Sequence, residues 1–250
     1  MTSSKKTIMR IGLISDIHGN LVALETVLHE LEQEHTDQVV CLGDVGTFGP
    51  QPHEVIERLS ELKCHAILGN TDAWLLTPPV ALQTDSENRR ATYEINAWCA
   101  KQLSPKDLGY VQTFAPTLTF PLDEGRTLMC YHGSPRSFDD VIAATTPDVE
   151  VTRMLEGYTA TIFVGGHTHV QMLRRYEDAH LVNVGSVGLP GVNPMNHHVH
   201  WAEYGVLTVE DGRLSIDLHR TPLNMAALLE AGTSSDIPHI ERWTQKWERT

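Results

Sequence analysis

Five apolar runs in this 250-residue chain have the length and composition of buried strands, and each is followed by a side chain with an oxygen or imidazole donor. The runs and the residues that follow them are 8–15 (Asp16 and His18), 39–43 (Asp44), 65–69 (Asn70), 127–131 (His132) and 161–166 (His167 and His169). In an open α/β sheet, ligands bind in the crevice beyond the carboxyl ends of the strands. The pattern therefore predicts an α/β fold in which these seven side chains converge on one site.

Strand and helix signals alternate in the first part of the chain. After the first run, apolar residues keep helical spacing from Leu21 to Leu31, with Asn20 as the expected N-cap, and a second helix is predicted over about 52–62. This βαβαβ order implies parallel strands with right-handed crossovers. Hairpins are expected within 117–131, 170–184 and 206–218, where turn residues separate strand-like runs.

These signals predict one domain over residues 1–250, with a central β-core of two sheets and helices outside. A helical cover is expected at about 73–111, beside the site, and a C-terminal helical extension at about 222–250. Trp243 and Trp247 lie four residues apart in that extension. Their spacing indicates a helix that packs against the domain, with a dimer contact as the alternative, and the oligomeric state stays open.

Charge and composition narrow the classes of partner. The formal net charge of −13 argues against binding to a nucleic acid duplex or an anionic membrane, but a bound metal ion can still attract a phosphorylated small molecule. A run of ~20 apolar residues is missing, so neither a membrane span nor a signal peptide is expected. The four cysteines lack C-x-x-C spacing, which predicts free buried thiols and a cytoplasmic location.

The seven donor groups are two carboxylates, one amide and four imidazoles. This mixture suits Mn, Fe, Co, Ni or Zn better than Ca or Mg, which prefer oxygen ligands. Seven donors exceed one tetrahedral site and fit two divalent ions that share a carboxylate. With two aspartates and a bridging hydroxide, such a centre keeps about one net positive charge and is expected to attract an anionic phosphate ester. Two metals ~3.5–4 Å apart also promote in-line displacement at phosphorus.

Five short blocks follow one another along the chain: Asp16-Ile17-His18-Gly19-Asn20, Gly43-Asp44, Gly69-Asn70-Thr71-Asp72, His132-Gly133-Ser134-Pro135 and Gly166-His167-Thr168-His169. Together they resemble the signature of the calcineurin-like metallophosphoesterases, and most closely their small bacterial and archaeal phosphodiesterase branch. The resemblance implies a four-layer α/β/β/α sandwich of two mixed β-sheets flanked by helices, with a dinuclear centre. By that pattern Asp16, His18, Asp44 and His169 hold one ion, and Asp44, Asn70, His132 and His167 hold the other.

The resemblance also implies roles in catalysis. A hydroxide that bridges the ions is expected to attack phosphorus, with Asp44, Asn70 and His132 as catalytic residues. Many relatives carry a His, thought to assist the leaving group, at the position of Thr71, and Thr cannot act as a general acid near neutral pH. The change favours esters whose leaving groups need little protonation, or an acid from elsewhere in the chain.

Substrate contacts are expected from Asn20, Thr71, His197 and His198. Asn20 has an equal alternative as a helix cap only. The tract of His197, His198 and His200 has an alternative as a solvated loop, and the sharper hypothesis is that one of these histidines replaces the missing acid.

The main interpretation is a metal-dependent phosphodiesterase that acts on a small phosphate ester, a nucleotide among the candidates, with Mn²⁺ as the ion expected to serve best in vitro. A nucleotide phosphomonoesterase or a dinucleoside polyphosphate hydrolase is the alternative within the class. A non-catalytic scaffold or binding module on the same fold is the alternative from another class. Scaffold members of the family tend to lose metal ligands, whereas here the set is complete.

Overall fold

The computed structural model describes residues 8–78, 86–123, 125–191, 199–245 and 247. The predicted substrate contacts His197 and His198 lie outside these ranges. The elements of the first half are β1 (Ile8–Ile14), α1 (Leu21–Gln33), β2 (Gln38–Cys41), α2 (Pro52–Glu61), β3 (His65–Ala66), α3 (Asn70–Leu76), α4 (Glu87–Gln102), α5 (Pro105–Val111), β4 (Leu118–Pro121) and β5 (Thr127–Cys130). The second half holds α6 (Asp148–Met154), β6 (Ile162–Gly165), β7 (Met172–Tyr176), β8 (Ala179–Asn183), β9 (Trp201–Glu210), β10 (Arg213–Pro222), α7 (Met225–Thr233) and α8 (Ile240–Thr244).

Two five-stranded mixed sheets form the centre of the fold. The first has the order β10–β9–β1–β2–β3, with β1, β2 and β3 parallel and β9 antiparallel to both of its neighbours. The second has the order β4–β5–β6–β8–β7, with β5, β6 and β8 parallel and the edge strands β4 and β7 antiparallel. The two mixed sheets predicted from the sequence are thus confirmed.

Alternating side chains of the strands build separate layers of core. Ile11 and Leu13 of β1 point into the space between the sheets, where they meet Leu128 of β5. Ile14 belongs to the opposite face, which packs on α1, α2 and α7, and Phe163 of β6 lies in the layer beneath α6. Each fully buried Leu, Ile or Phe contributes roughly 1.5–3 kcal/mol to the free energy of unfolding. The layers confirm the α/β/β/α sandwich.

The three predicted hairpins are confirmed as β4–β5, β7–β8 and β9–β10. Asp211 and Gly212 both have positive φ, 49° and 76°, as a two-residue hairpin turn requires. The helices α4 and α5 lie within the range 73–111 where a helical cover was expected. Ser104 and Asp107 form a capping box at the start of α5, with Pro105 in its first turn.

Several elements differ from their predicted extent. The helices α3 and α6 were not predicted, because each has seven residues and too few buried positions to establish a helical period. The strands β9 and β10 are ten residues each, longer than the runs in the sequence, because β9 pairs along its length with β10 and with β1. The strand β3 is only two residues long, and beyond it Ile67 makes a single bridge to Ala115.

Trp243 and Trp247 are each 3% exposed and belong to the core beside α1 and α7, so packing against the domain is confirmed. The four cysteines are free and buried, as predicted. Among the described helices, none combines the length and apolarity needed to cross a bilayer.

Candidate metal centre

All seven predicted ligands meet beyond the carboxyl ends of the parallel strands. Four come from the first sheet and three from the second, so the centre spans both. The positions are Asp16 and His18 after β1, Asp44 after β2, Asn70 at the start of α3, His132 after β5, and His167 and His169 after β6.

Close contacts between loops bring these residues together. The backbone N–H groups of Asp16 and His18 donate to Gly43 O and Asp44 O, at 2.9 and 3.0 Å, so the loops after β1 and β2 run side by side. A Cβ atom on Gly69 would lie 2.1 Å from Asp44 Oδ1, and one on Gly166 would lie 2.5 Å from Asp16 Oδ2. Glycine is therefore required at both positions for the backbone to approach the carboxylates.

Five of the seven predicted ligands have a backbone in the left-handed region. Their φ angles are 54° at Asp16, 49° at His18, 59° at Asp44, 69° at His167 and 56° at His169. Non-glycine residues adopt this region rarely, although Asp and His tolerate it better than most, and each instance costs of order 1–3 kcal/mol. Local strain concentrated on one group of side chains is typical of a functional site.

Each buried carboxylate has one oxygen held by a backbone N–H and the other turned toward the centre. Asp16 Oδ2 accepts from the N–H of His167 at 3.0 Å, and Asp44 Oδ1 accepts from the N–H of Thr71 at 2.9 Å. Asp16 Oδ1 is buried and makes no hydrogen bond. Asp44 Oδ2 lies 3.8 Å from His18 Nε2 and 3.5 Å from His132 Nε2, so it faces both halves of the site.

Two imidazoles have tautomers that their partners dictate. His132 Nδ1 lies 2.7 Å from Leu42 O, and His169 Nδ1 lies 2.8 Å from Leu189 O. A carbonyl oxygen only accepts, so Nδ1 carries a proton in both rings, and Nε2, which points inward, is the lone-pair donor when the ring is neutral.

The inward-pointing atoms face other electron-pair donors. His169 Nε2 lies 3.1 Å from Asp16 Oδ1, and His132 Nε2 lies 3.1 Å from Asn70 Oδ1. Lone pairs that face each other at this distance repel unless a proton or a cation lies between them. Because the facing atoms are imidazole nitrogens and carboxylate or amide oxygens, they fit divalent transition-metal ions.

The electrostatics of the side chains agree with this fit. Burial raises the pKa of Asp44, but the nearby charge of His132 holds that pKa below its usual range. Burial lowers the pKa of His132, yet the Asp44 carboxylate raises it, to about 10. Burial likewise raises the pKa of Asp16, but the nearby charge of His169 holds it below its usual range. Burial lowers the pKa of His169, but the Asp16 carboxylate raises it above its usual value. Burial lowers the pKa of His167. Positive charge thus accumulates around two ionised carboxylates, and a divalent cation supplies that charge when it binds.

A family model described as the calcineurin-like phosphoesterase superfamily domain matches residues 9–212. The chain belongs to the calcineurin-like phosphoesterase superfamily. The family predicted from the five sequence blocks is thereby confirmed, and hydrolysis of phosphate esters is the activity for which this superfamily is named.

Individual relatives of this calcineurin-like phosphoesterase differ in how much of it they match. An uncharacterized protein of Methanocaldococcus jannaschii is 27% identical over 204 residues, which cover 75% of this chain and 80% of the relative. The phosphodiesterase YfcE of Escherichia coli K12 is 40% identical over 75 residues, which cover 26% of this chain and 41% of YfcE.

Two solved structures share the fold over nearly the whole chain. A metallophosphoesterase from Sphaerobacter thermophilus superposes with a TM-score of 0.73 at 24% identity, covering 95% of this chain and 99% of the other. A protein from Pyrococcus horikoshii superposes with a TM-score of 0.77 at 16% identity, covering 97% and 100%. Both likenesses show that the sandwich architecture is common to these proteins.

The calcineurin-like centre also contains residues that support its ligands. Asp72, predicted to cap a turn or orient a neighbour, accepts backbone N–H groups from Asp44, Val45 and Gly69 at 2.7 to 3.0 Å. It therefore shapes the loop that presents Asp44, and the predicted supporting role is confirmed.

Three other polar residues lie beside the ligands. Asn20 caps α1 through Oδ1, and its amide donates to Gly188 O at 3.1 Å. Thr71 lies beside Asp44 and is 8% exposed, and contact of either residue with a substrate stays a prediction. The sequence reasoning missed Thr47, whose Oγ1 lies 3.2 Å from His18 Nδ1, because a hydrogen bond between two loops leaves no periodic signal in the sequence.

Proposed function

We propose that this protein is a metal-dependent phosphodiesterase that uses two divalent transition-metal ions, Mn, Fe, Co, Ni or Zn, with Mn²⁺ as the ion expected to serve best in vitro. The observation that carries the proposal is the inward arrangement of the donor atoms. His169 Nε2 faces Asp16 Oδ1, and His132 Nε2 faces Asn70 Oδ1, both at 3.1 Å. Such contacts are favourable only where a proton or a metal ion lies between the two donor atoms.

The proposed ligands form two groups that share Asp44. One group is Asp16, His18, Asp44 and His169, and the other is Asp44, Asn70, His132 and His167. The position of Asp44 Oδ2 between His18 and His132 supports its role as the shared ligand. When bound, two such ions would supply Lewis acidity toward the phosphoryl group and would lower the pKa of a bound water molecule, which would serve as the nucleophile for in-line attack.

The protein contributes positioning and electrostatics. The backbone N–H groups of His167 and Thr71 hold one oxygen of each carboxylate, so Asp16 and Asp44 cannot rotate away from the centre. We assign Asp44, Asn70 and His132 as the catalytic residues, because Asp44 Oδ2 faces both ligand groups and His132 Nε2 lies 3.5 Å from Asp44 Oδ2 and 3.1 Å from Asn70 Oδ1. Asn20 and Thr71 are assigned to the substrate, since both lie next to ligands in the loops that carry them.

Preference for a diester follows from charge. Two divalent ions with two aspartates and one water-derived anion leave about one positive charge, which matches a monoanionic diester. Thr71 cannot donate a proton to a poor leaving group near neutral pH. The local likeness to the phosphodiesterase YfcE, over 26% of this chain, supports the same preference.

The test is activity of the metal-stripped protein on a matched pair of esters, bis(p-nitrophenyl) phosphate and p-nitrophenyl phosphate, with Mn²⁺, Fe²⁺, Co²⁺, Ni²⁺ or Zn²⁺ added singly. We expect turnover only with metal and a higher kcat/KM for the diester. Asp44→Asn is expected to abolish turnover, and the exposed Asp139→Asn serves as the matched control. Metal uptake without hydrolysis of either ester would favour the scaffold, and a higher kcat/KM for the monoester would contradict the diester preference.

A further inference from the structure

Two threonine side chains connect the halves of the metal centre. Thr47 Oγ1 donates to Thr71 Oγ1 at 2.8 Å and lies 3.2 Å from His18 Nδ1. The backbone N–H of Thr71 donates in turn to Asp44 Oδ1. Thr47 is fully buried and Thr71 is 8% exposed, so water does not compete freely for these hydroxyl groups.

Counting protons along this chain of hydrogen bonds gives its direction. A threonine hydroxyl has one proton, and Thr47 uses it in the bond to Thr71. The contact between Thr47 Oγ1 and His18 Nδ1 must then have the imidazole as donor. His18 therefore carries its proton on Nδ1, and its Nε2 lone pair points inward, 3.1 Å from His169 Nε2 and 3.8 Å from an oxygen of both Asp16 and Asp44.

His18 differs in this respect from the other two rings that present Nε2. Nδ1 of His132 and of His169 meets a backbone carbonyl, which can only accept a hydrogen bond. A hydroxyl can either donate or accept, so Thr47 alone would leave the His18 tautomer undecided. Thr71 decides it, because it takes the only proton that Thr47 could offer to His18.

We propose that Thr71, acting through Thr47, is a positioning residue that fixes the Nδ1–H tautomer of His18 and so keeps Nε2 available to a metal ion. The proposal rests on the proposed function in one respect, that His18 is a metal ligand. It gives Thr71 a role that does not depend on proton donation to the leaving group, and it leaves the proton of the Thr71 hydroxyl for a substrate oxygen. Outer hydrogen bonds of this kind are worth about 10–100-fold in metal affinity.

The test has two readouts, the His18 tautomer in metal-free protein and the affinity for Mn²⁺. The tautomer is read from ¹H–¹⁵N correlations of ¹⁵N-histidine-labelled protein, with the His18 signals assigned by their loss in His18→Gln. Thr47→Val and Thr71→Val keep the shape of the side chain and remove the hydroxyl, whereas Thr47→Ser and Thr71→Ser keep it. Thr221→Val is the matched control. It removes a buried hydroxyl of β10 that donates to Glu30, away from the predicted metal ligands.

We expect a proton on Nδ1 of His18 in the wild type, in both serine variants and in Thr221→Val. Both valine variants should show Nδ1 without its proton in part of the population, and their affinity for Mn²⁺ should fall by about 10–100-fold. A wild-type ring with its proton on Nε2 would overturn the proposal, even if a valine variant failed to fold. The proposal would also be overturned if the folded valine variants kept the wild-type tautomer of His18 and the wild-type affinity for Mn²⁺.

The two proposals fail in different ways. If the wild type binds Mn²⁺ and hydrolyses the diester while the valine variants behave like it, only the role of Thr71 is wrong. If the wild type shows the Nδ1–H tautomer and binds no metal, the hydrogen-bond chain stands and the proposed function is wrong.

Discussion

The Asp72 carboxylate holds the loop after β2 in place, because it accepts hydrogen bonds from three buried backbone N–H groups. Asp72→Asn replaces one acceptor oxygen with an NH₂ group that faces a donor. We expect the free energy of unfolding to fall by about 1–3 kcal/mol, and the affinity for Mn²⁺ to fall by about 10–100-fold as Asp44 loses its position. Urea denaturation and metal titration measure the two effects.

The control for that substitution is Asp139→Asn, which changes an exposed carboxylate in the same way. It is expected to match the wild type in both measurements. An Asp72→Asn protein that also matched the wild type would show that these three hydrogen bonds do not position Asp44.

Protonation of His132 gives a second prediction for individual residues. Burial lowers the pKa of this ring, but Asp44 raises it to about 10. In the metal-free protein at neutral pH the ring is therefore positively charged, with a proton on both nitrogens. A metal ligand must be a neutral imidazole, so binding of Mn²⁺ near pH 7 should release about one proton from His132, and affinity should fall as the pH falls.

Calorimetric titration with Mn²⁺ in two buffers of different ionisation enthalpy measures this release. The observed binding enthalpies should differ in proportion to the ionisation enthalpies of the buffers. Equal binding enthalpies would mean that His132 is neutral before the metal binds.

Among the elements, α2 and α5 are joined by an ion pair that the sequence did not reveal. His53 Nδ1 donates to Asp107 Oδ2 at 2.7 Å, and the same carboxylate caps α5. The hydrogen bond to Asp107 raises the pKa of His53 above its ordinary value of 6.5. A raised pKa in the folded state means that the contribution to stability is fully present below 6.5 and is lost as the pH rises through the raised pKa.

Replacing His53 with Ala should therefore cost more stability at about pH 5.5 than at about pH 9. Since the His53 side chain is 41% exposed, the difference should stay below about 1 kcal/mol. Urea denaturation of His53→Ala at both pH values measures it, with His29→Ala, an exposed histidine of α1, as the control. An equal cost at both pH values would contradict the ion pair.

Some of these elements and contacts could be predicted from the sequence, and others could not. The order of the parallel strands and the ligands at their ends follow from apolar runs with a polar residue after each, and the hairpins follow from turn residues. The short helices α3 and α6 carry too few buried residues to produce a period. The bond from His18 to Thr47 and the ion pair of His53 join residues far apart in the chain, and such contacts are decided only once the loops are packed.

For the whole molecule, the proposed metal centre lies where the two sheets of the sandwich meet. Asp16, His18, Asp44 and Asn70 follow strands of the first sheet, whereas His132, His167 and His169 follow strands of the second. In the proposed assignment each ion takes ligands from both sheets, so we expect catalysis to require the complete sandwich. We therefore propose that one folded chain forms a dinuclear centre that hydrolyses phosphodiesters.

The most direct measurement is a titration of metal-stripped protein with Mn²⁺, in which bound metal and hydrolysis of bis(p-nitrophenyl) phosphate are followed in the same samples. We expect activity to rise with added metal and to reach its plateau when two ions are bound per chain. A plateau with one ion bound, or hydrolysis that is already maximal in the stripped protein, would contradict it.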